Sequence, residues 1–431
     1  MPLPASRALL AMLFACVSWL GMMPSTWAAD AATISIACSG VGQELEFCKG
    51  AAEAWARKTG HALKIVTPPN DASERLALYQ QLLSARSDKI DVLQVDVIWP
   101  GLLGSHLLDL RPYAKGAEAQ HFPGFIANNT SQGRLVAMPW FANAGLLFYR
   151  SDLLQKYGQP LPSTWEELTA SARTIQDGER AAGNERMWGY VWQGRAYEGL
   201  SCNALEWVAS HDGGAIVEAD GRISIDNPRA ALALQTAAAW VGSISPTAVL
   251  NYAEEESRGV FQAGNAVFMR NWPYAWALAQ AEGSAIRGKV GVAVLPKAAG
   301  AGRHAATLGG ESLAVSNYSR HPAAAADLVL YMTSAAVQKE RALRGSFNPT
   351  ITVLYQDPEI LQANPFMGEL FATFTRAIAR PTTVTGARYN QVSHQFWNAA
   401  HDTLSGKATA EQALSRLDRS LQRVSRRGTW R

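Results

Sequence analysis

The sequence predicts an α/β protein of two lobes, on three observations. Segments reading as strand, helix and strand alternate from Thr33 to Trp99, the pattern of a mainly parallel sheet flanked by helices. The chain has 431 residues, more than one hydrophobic core usually supports. Strand-like segments recur late, at Val290 to Leu295 and Ser312 to Ser316, and would lead back to the first lobe, making both lobes discontinuous. The expected division is residues 29–140 with 293–333 for the N-terminal lobe and 141–292 with 334–431 for the C-terminal lobe, joined by crossing hinge segments.

The first lobe opens with a strand over Thr33 to Cys38, a helix over Glu44 to Thr59 and a strand over Ala62 to Val66. A helix follows from Ser73 to Ser84, then a nearly continuous apolar strand from Ile90 to Trp99, interrupted by Asp96. In such sheets ligands gather beyond the carboxyl ends of the strands, where Asp96 and the Cys38–Glu44 turn fall. The second unit starts after Trp140. Leu146 to Tyr149 reads as a strand, and Pro162 to Glu167 opens a helix with Ser163 or Thr164 as N-cap and acidic residues in its first turn. Helices are expected over Leu200 to Ser210 and Pro228 to Trp240, and a buried strand over Ala266 to Met269. Ala298 to Gly302 is a short flexible loop. Ala410 to Val424 carries Ala413, Leu414, Leu417, Leu421 and Val424 at helical spacing. Its arginines, Arg416, Arg419, Arg423, Arg426 and Arg427, read as a solvated face and a frayed end.

The amino terminus has the form of a secretory signal: Arg7, an apolar run from Ala8 to Met23, and small residues for cleavage near Ala28. Residues 1–28 are therefore expected to be removed and the protein to be exported to a periplasm. A lipid on Cys16 is the weaker alternative, because Phe14 stands where a lipoprotein signal usually has a small residue. Lys and Arg number 39 and Asp and Glu 36, a near-neutral balance that argues against nucleic acid or an anionic membrane as partner and for an uncharged ligand. An oxidising compartment permits a disulfide between Cys38 and Cys48, leaving Cys202 as a buried thiol.

Arg270-Asn-Trp-Pro-Tyr-Ala-Trp276 places three large aromatics around a proline directly after an apolar strand. Flat rings combined with a few hydrogen-bonding groups suit sugars, whose C–H faces stack while their hydroxyls need fixed donors and acceptors. Core packing is the competing reading for each tryptophan. Asp96 within an apolar strand reads as a ligand contact, with a structural cap as the alternative, because a buried unpaired carboxylate is costly. Glu44 is a ligand contact or a carboxylate stabilised at a helix start. Arg75 is a ligand contact or an exposed helix charge, and Tyr197 and Glu198 are ligand contacts or a cap and a core residue. Glu254-Glu-Glu256 reads as a solvated face. No Gly-x-Ser-x-Gly, phosphate-loop or His-Glu-x-x-His motif occurs, and the eight histidines lack metal-ligand spacing, so neither a metal nor a cofactor is expected.

At the level of whole motifs the chain resembles the family-1 extracellular solute-binding proteins of ABC importers, and within them the trehalose/maltose-binding group. The likeness rests on Gly42-Gln-Glu-Leu-Glu46, Val95-Asp-Val-Ile-Trp99, Pro162-Ser-Thr-Trp-Glu166, Val191-Trp-Gln-Gly194, Tyr197-Glu-Gly-Leu200, Arg270 to Trp276, Ala306-Thr-Leu-Gly-Gly310 and Ala379-Arg-Pro381. The resemblance implies a clamshell, with a disaccharide held between lobes and passed to permease subunits by a monomeric receptor that is not an enzyme. It implies that Glu44, Arg75 and Asp96 meet sugar hydroxyls, that Trp272 stacks on a ring, that Gly309 and Gly310 offer backbone at close approach, and that Arg380 adds a forked donor. Three positions depart from the group's pattern: Phe141 for a tyrosine, Asn143 for an aspartate and Glu311 for a stacking tryptophan. The last exchanges a platform for a carboxylate, which points to a narrower or different disaccharide. Trehalose comes first and maltose second. The alternatives are a receptor for another solute, or an exported glycoside hydrolase in which two of Glu44, Asp96, Glu198 and Glu311 flank a glycosidic bond.

Overall fold

The computed structural model describes residues 31–431 apart from 370, 372, 374–376, 427, 428 and 431. Residues 1–28, expected from the sequence to be a signal segment, with Cys16, and Arg427 lie outside the described residues. Ala32–Arg431 forms one compact unit containing two main sheets. No helix among the described residues is long and apolar enough to cross a membrane.

The first sheet has five strands in the order Ala62–Val66, Thr33–Ala37, Val92–Asp96, Leu308–Val315, Met138–Ala144. Its first two ladders are parallel, while Leu308–Val315 runs antiparallel to both neighbours. Helix Glu44–Thr59 covers it with Phe47, Cys48, Ala52 and Trp55 turned inward, and ends where Gly60 adopts the left-handed conformation and donates to Ala56 O. The Trp55 indole donates to Asp327 of helix Pro322–Met332 at 2.7 Å, joining the two covering helices. Cys38 and Cys48 form a disulfide, and Cys202 is a buried free thiol.

The apolar run from Ile90 to Trp99 is not one strand. The ladder stops at Asp96 because its carboxylate accepts from Ile98 N at 3.1 Å and its carbonyl from Trp99 N at 2.9 Å, turning the chain into helix Pro100–Leu103.

The second sheet runs Val290–Ala293, Leu146–Arg150, Ala266–Asn271, Trp188–Val191. Its first two ladders are antiparallel and only the last is parallel. Both sheets are thus mixed, not mainly parallel as expected. The physical reason is the crossings: a strand arriving from the other lobe has no helical crossover to turn it parallel. Val290–Ala293 stays in the second sheet, and the return to the first is made by Leu308–Val315. Outward passage falls at Gly145, since Met138–Ala144 continues the first sheet past Trp140.

Helices Trp165–Ala181, Glu198–Ser210, Pro228–Trp240, Tyr389–Leu404 and Ala410–Val424 belong to the second lobe. Thr164 caps the first with a capping box, Asn227 caps Pro228–Trp240, and Thr409 caps the last. Arg416, Arg419, Arg423 and Arg426 are exposed. Trp165, Trp192, Trp207 and Trp240 are core residues in a chain of aromatic contacts, with Trp192–Trp207 centroids 5.0 Å and Trp165–Trp240 centroids 5.4 Å apart. For these tryptophans the packing reading is the correct one.

Beside Gly145, Arg270 forms a forked pair with Glu206 at 2.9 and 2.6 Å, both side chains 1% exposed. Glu206 also accepts from Thr307 N at 3.0 Å, and Arg270 donates to Gln193 at 2.9 Å. A Cβ at position 145 would collide with Glu206 and Arg270, which explains glycine at the crossing. Because removing one partner leaves an uncompensated buried charge, Glu206→Gln is expected to cost about 3–5 kcal/mol, measured by denaturant unfolding. An unchanged midpoint would show that Gln193 and Trp272 suffice to hold Arg270.

Candidate functional site

One cavity, of about 650 Å³ counting space open to solvent, is lined from both sheets. The structure brings to it Glu44, Arg75, Asp96, Phe141, Asn143 and Tyr197, and equally Glu198, Trp272, Gly309, Gly310, Glu311 and Arg380.

Register builds the first wall. Asp96, Glu311 and Phe141 stand directly opposite one another across three strands, and Gly309 is opposite Asn143. Phe141 and Asn143 are two apart and share a face. Gly310 has φ 127°, a conformation closed to side chains, and its carbonyl accepts from Val97 N at 3.2 Å.

Arg75 is not an exposed helix charge. It is 3% exposed on helix Ala72–Ser84, donates to Glu311 Oε1 at 2.5 Å and lies over the Trp99 ring at 5.1 Å. Glu44, first residue of its helix, accepts from Gln94 Nε2 at 2.9 Å, while Gln94 Oε1 accepts from Ser39 N at 2.9 Å. Glu44 thus both starts its helix and lines the cavity. Burial pushes its carboxyl up, against the hydrogen bond from Gln94 and the charge of Arg75.

Arg380 spans the cavity's walls. Its guanidinium donates to Asp96 Oδ1 at 3.0 Å, to Glu198 Oε1 at 2.8 Å and to Leu308 O at 3.4 Å. Burial opposes its charge, but Asp96 and Glu198 hold it protonated. Glu198 is fully engaged: Tyr389 donates to Oε1 at 2.5 Å and Ser393 to Oε2 at 2.7 Å. The helix start at Glu198 also meets Ser73, through a 3.4 Å bond from Glu198 N to Ser73 Oγ.

Trp272 follows Arg270, whose guanidinium covers one face of its ring at 3.9 Å. Its indole N–H donates to Glu254 Oε1 at 3.3 Å, and Tyr197 donates to Glu254 Oε2 at 2.7 Å. Glu254 is thus a cavity residue and not part of a solvated face. Only the buried N–H and O–H of two aromatics, each needing an acceptor, could have signalled it. Gln94 was legible in principle, being polar within an apolar strand and two residues before Asp96, hence on the same face. Tyr274, one of the three aromatics of the Arg270–Trp276 segment, and Asn70 also line the cavity; nothing in the local sequence marks Asn70.

Burial pushes the Glu311 carboxyl up to about 8, against the pull of Arg75 and aided by the like charges of Asp96 and Glu44. Between the ordinary value of 4.5 and about 8, folded Glu311 keeps a proton that the unfolded chain has lost. Its contribution to stability is therefore fully present below 4.5 and is lost as pH rises through about 8. The protein without ligand should lose melting temperature over this window more steeply than Glu311→Gln; parallel profiles from thermal unfolding would contradict the assignment.

Comparisons with known proteins agree with this architecture. The sequence profile described as bacterial extracellular solute-binding protein matches residues 42–339. A probable ABC transporter-binding protein of Deinococcus radiodurans is 52% identical over 402 residues, covering 93% of this chain and 95% of the relative. The maltose-bound MalE3 of T. maritima has a TM-score of 0.87 at 39% identity, over 91% of this chain and 100% of that one. A solute-binding protein of Thermotoga lettingae, solved with α-D-tagatose, shares the fold at TM-score 0.81 and 22% identity, over 91% and 99% of the two chains. With its two mixed sheets facing a common cavity, the chain belongs to the bacterial extracellular solute-binding proteins.

Proposed function

We propose that this protein is the substrate-binding receptor of an ABC sugar importer, exported to the periplasm, which captures an α-linked disaccharide and delivers it intact to an inner-membrane permease. Trehalose is the first candidate and maltose the second. The observation that carries the reading is a cavity lined by the Trp272 ring together with Asp96 and Glu311 of the other sheet and the guanidiniums of Arg75 and Arg380. A pyranose offers the matching surfaces, apolar faces for the ring and hydroxyls for forked charged groups. The maltose in the T. maritima relative supports the same ligand class.

Capture follows from where the contacts come from. Asp96 and Glu311 belong to one sheet and Trp272 to the other, so a sugar touches both only when the lobes are together. Binding then shifts the open–closed equilibrium in proportion to those differential contacts. Micromolar affinity corresponds to about −8 kcal/mol, within reach of one stacked ring and several charge-assisted hydrogen bonds.

A glycosidase would need one of these carboxylates as acid and another as base or nucleophile. Glu198 is poorly suited, with both oxygens engaged by Arg380, Tyr389 and Ser393. The family description, a solute-binding protein, favours release of an unaltered ligand.

Calorimetric titration of the chain from Ala29 with trehalose, maltose and sucrose, followed by chromatography of the recovered sugar, tests the reading. One-to-one saturable binding with intact sugar is expected. Cleaved sugar would make the carboxylates catalytic, and silence towards all three would remove the disaccharide assignment. Trp272→Ala and Asp96→Ala should each weaken binding at least tenfold, about 1.4 kcal/mol or more, with an unchanged circular dichroism spectrum. Unaltered affinity in either variant would take that residue out of the site.

A further inference from the structure

We infer that the ligand is an amine-bearing disaccharide, an aminosugar whose ammonium group lies against Glu311 and its cross-strand neighbour Asp96. The inference rests on the disaccharide reading above and adds the charge of the ligand to it.

The first observation is the balance of charge. Glu44, Asp96, Glu198, Glu254 and Glu311 line the cavity, against Arg75 and Arg380. Arg341, stacked over the Trp140 ring at 3.8 Å and the Phe141 ring at 4.8 Å, is a third cation just behind that wall. Nearby Arg270 is matched by Glu206 and Arg195 by Asp71. With all five carboxylates ionised, the three cations leave an excess of two negative charges. A buried excess of this kind has to be neutralised, by protons or by a cationic ligand.

The second observation is where the excess sits. Glu311 is directly opposite Asp96 in an antiparallel ladder, an arrangement in which like charges destabilise the sheet. The ladder to Met138–Ala144 is irregular at Glu311/Ser312, the kind of bulge that re-aims a side chain. Arg75 takes only Oε1 of Glu311. Oε2 is buried, in a residue 8% exposed that lines the cavity, and it has no hydrogen-bond partner among the described residues. A hydroxyl would fill the lone pair of ionised Glu311 and leave its charge; an ammonium answers both. Among the described residues no group of His, Cys, Asp or Glu is arranged to hold a metal ion in its place.

Protonation accounts for the sugar-free state. With its carboxyl pushed up to about 8, Glu311 keeps its proton at neutral pH and releases it to solvent when a ligand ammonium arrives. The ammonium thus replaces a proton and adds a second donor to the site.

The test is calorimetry at neutral pH with trehalose, maltose and their mono-amino derivatives, the amine placed in turn at each hydroxyl-bearing carbon, beside the N-acetylated form of each. At least one amino derivative should bind at least about tenfold tighter than its parent, N-acetylation should abolish the gain because it removes the charge, and the ratio should fall to about one in Glu311→Gln. Parents that bind as tightly as every amino derivative would overturn the inference and leave the disaccharide reading standing. No binding by any of the sugars would overturn both. A preference that survives in Glu311→Gln would overturn the assignment to Glu311.

Discussion

Arg380 ties the site together. A guanidinium this deeply buried is tolerable only where acceptors surround it, and it finds them on both sides: Asp96 and the Leu308 carbonyl on the first sheet, Glu198 at the start of a second-lobe helix. Because the acceptors belong to different lobes, their separation and the state of this cation are one variable. Tyr389 and Ser393 fix Glu198 from helix Tyr389–Leu404, so the carboxyl-terminal helices bear on the cavity through a single carboxylate. Glu198 thus both lines the cavity and holds Arg380 in place.

The opposite wall is organised on the same principle with less compensation. Arg75 is one cation beside Glu311 and Glu44, and burial raises both of these carboxyls against its pull. The second lobe contributes the reverse arrangement, a matched pair: Arg270 and Glu206 neutralise each other, and the guanidinium doubles as the floor of the Trp272 ring. A rigid aromatic platform thus lines the same cavity as a carboxylate wall whose protonation is free to change.

Much of the fold was legible in the sequence. Helices Glu44–Thr59, Pro228–Trp240 and Ala410–Val424 begin and end where local signals place them, at Gly60, Asn227 with Pro228, and the Thr409 capping box. Strands were less so. Val92–Asp96 is shorter than its apolar run because Asp96 turns the chain, and Leu308–Val315 is longer than its apolar part because its partner Met138–Ala144 extends the ladder through two glycines. The antiparallel ladders of the second sheet depend on which strands meet, which no local window contains.

The sequence by itself determined the boundaries of helices such as Glu44–Thr59 and Ala410–Val424, the kinship with solute-binding proteins and many of the residue types around the cavity, because caps, periodicity and motif spacing are local properties. Only the tertiary structure decided that Asp96 and Glu311 stand abreast, that Glu198 is consumed by Arg380, Tyr389 and Ser393, and that Glu254 joins the site through Trp272 and Tyr197. The reason is physical. The charge state of a buried carboxylate depends on distances of a few ångströms to partners far apart in the chain, and register and lobe packing set those distances.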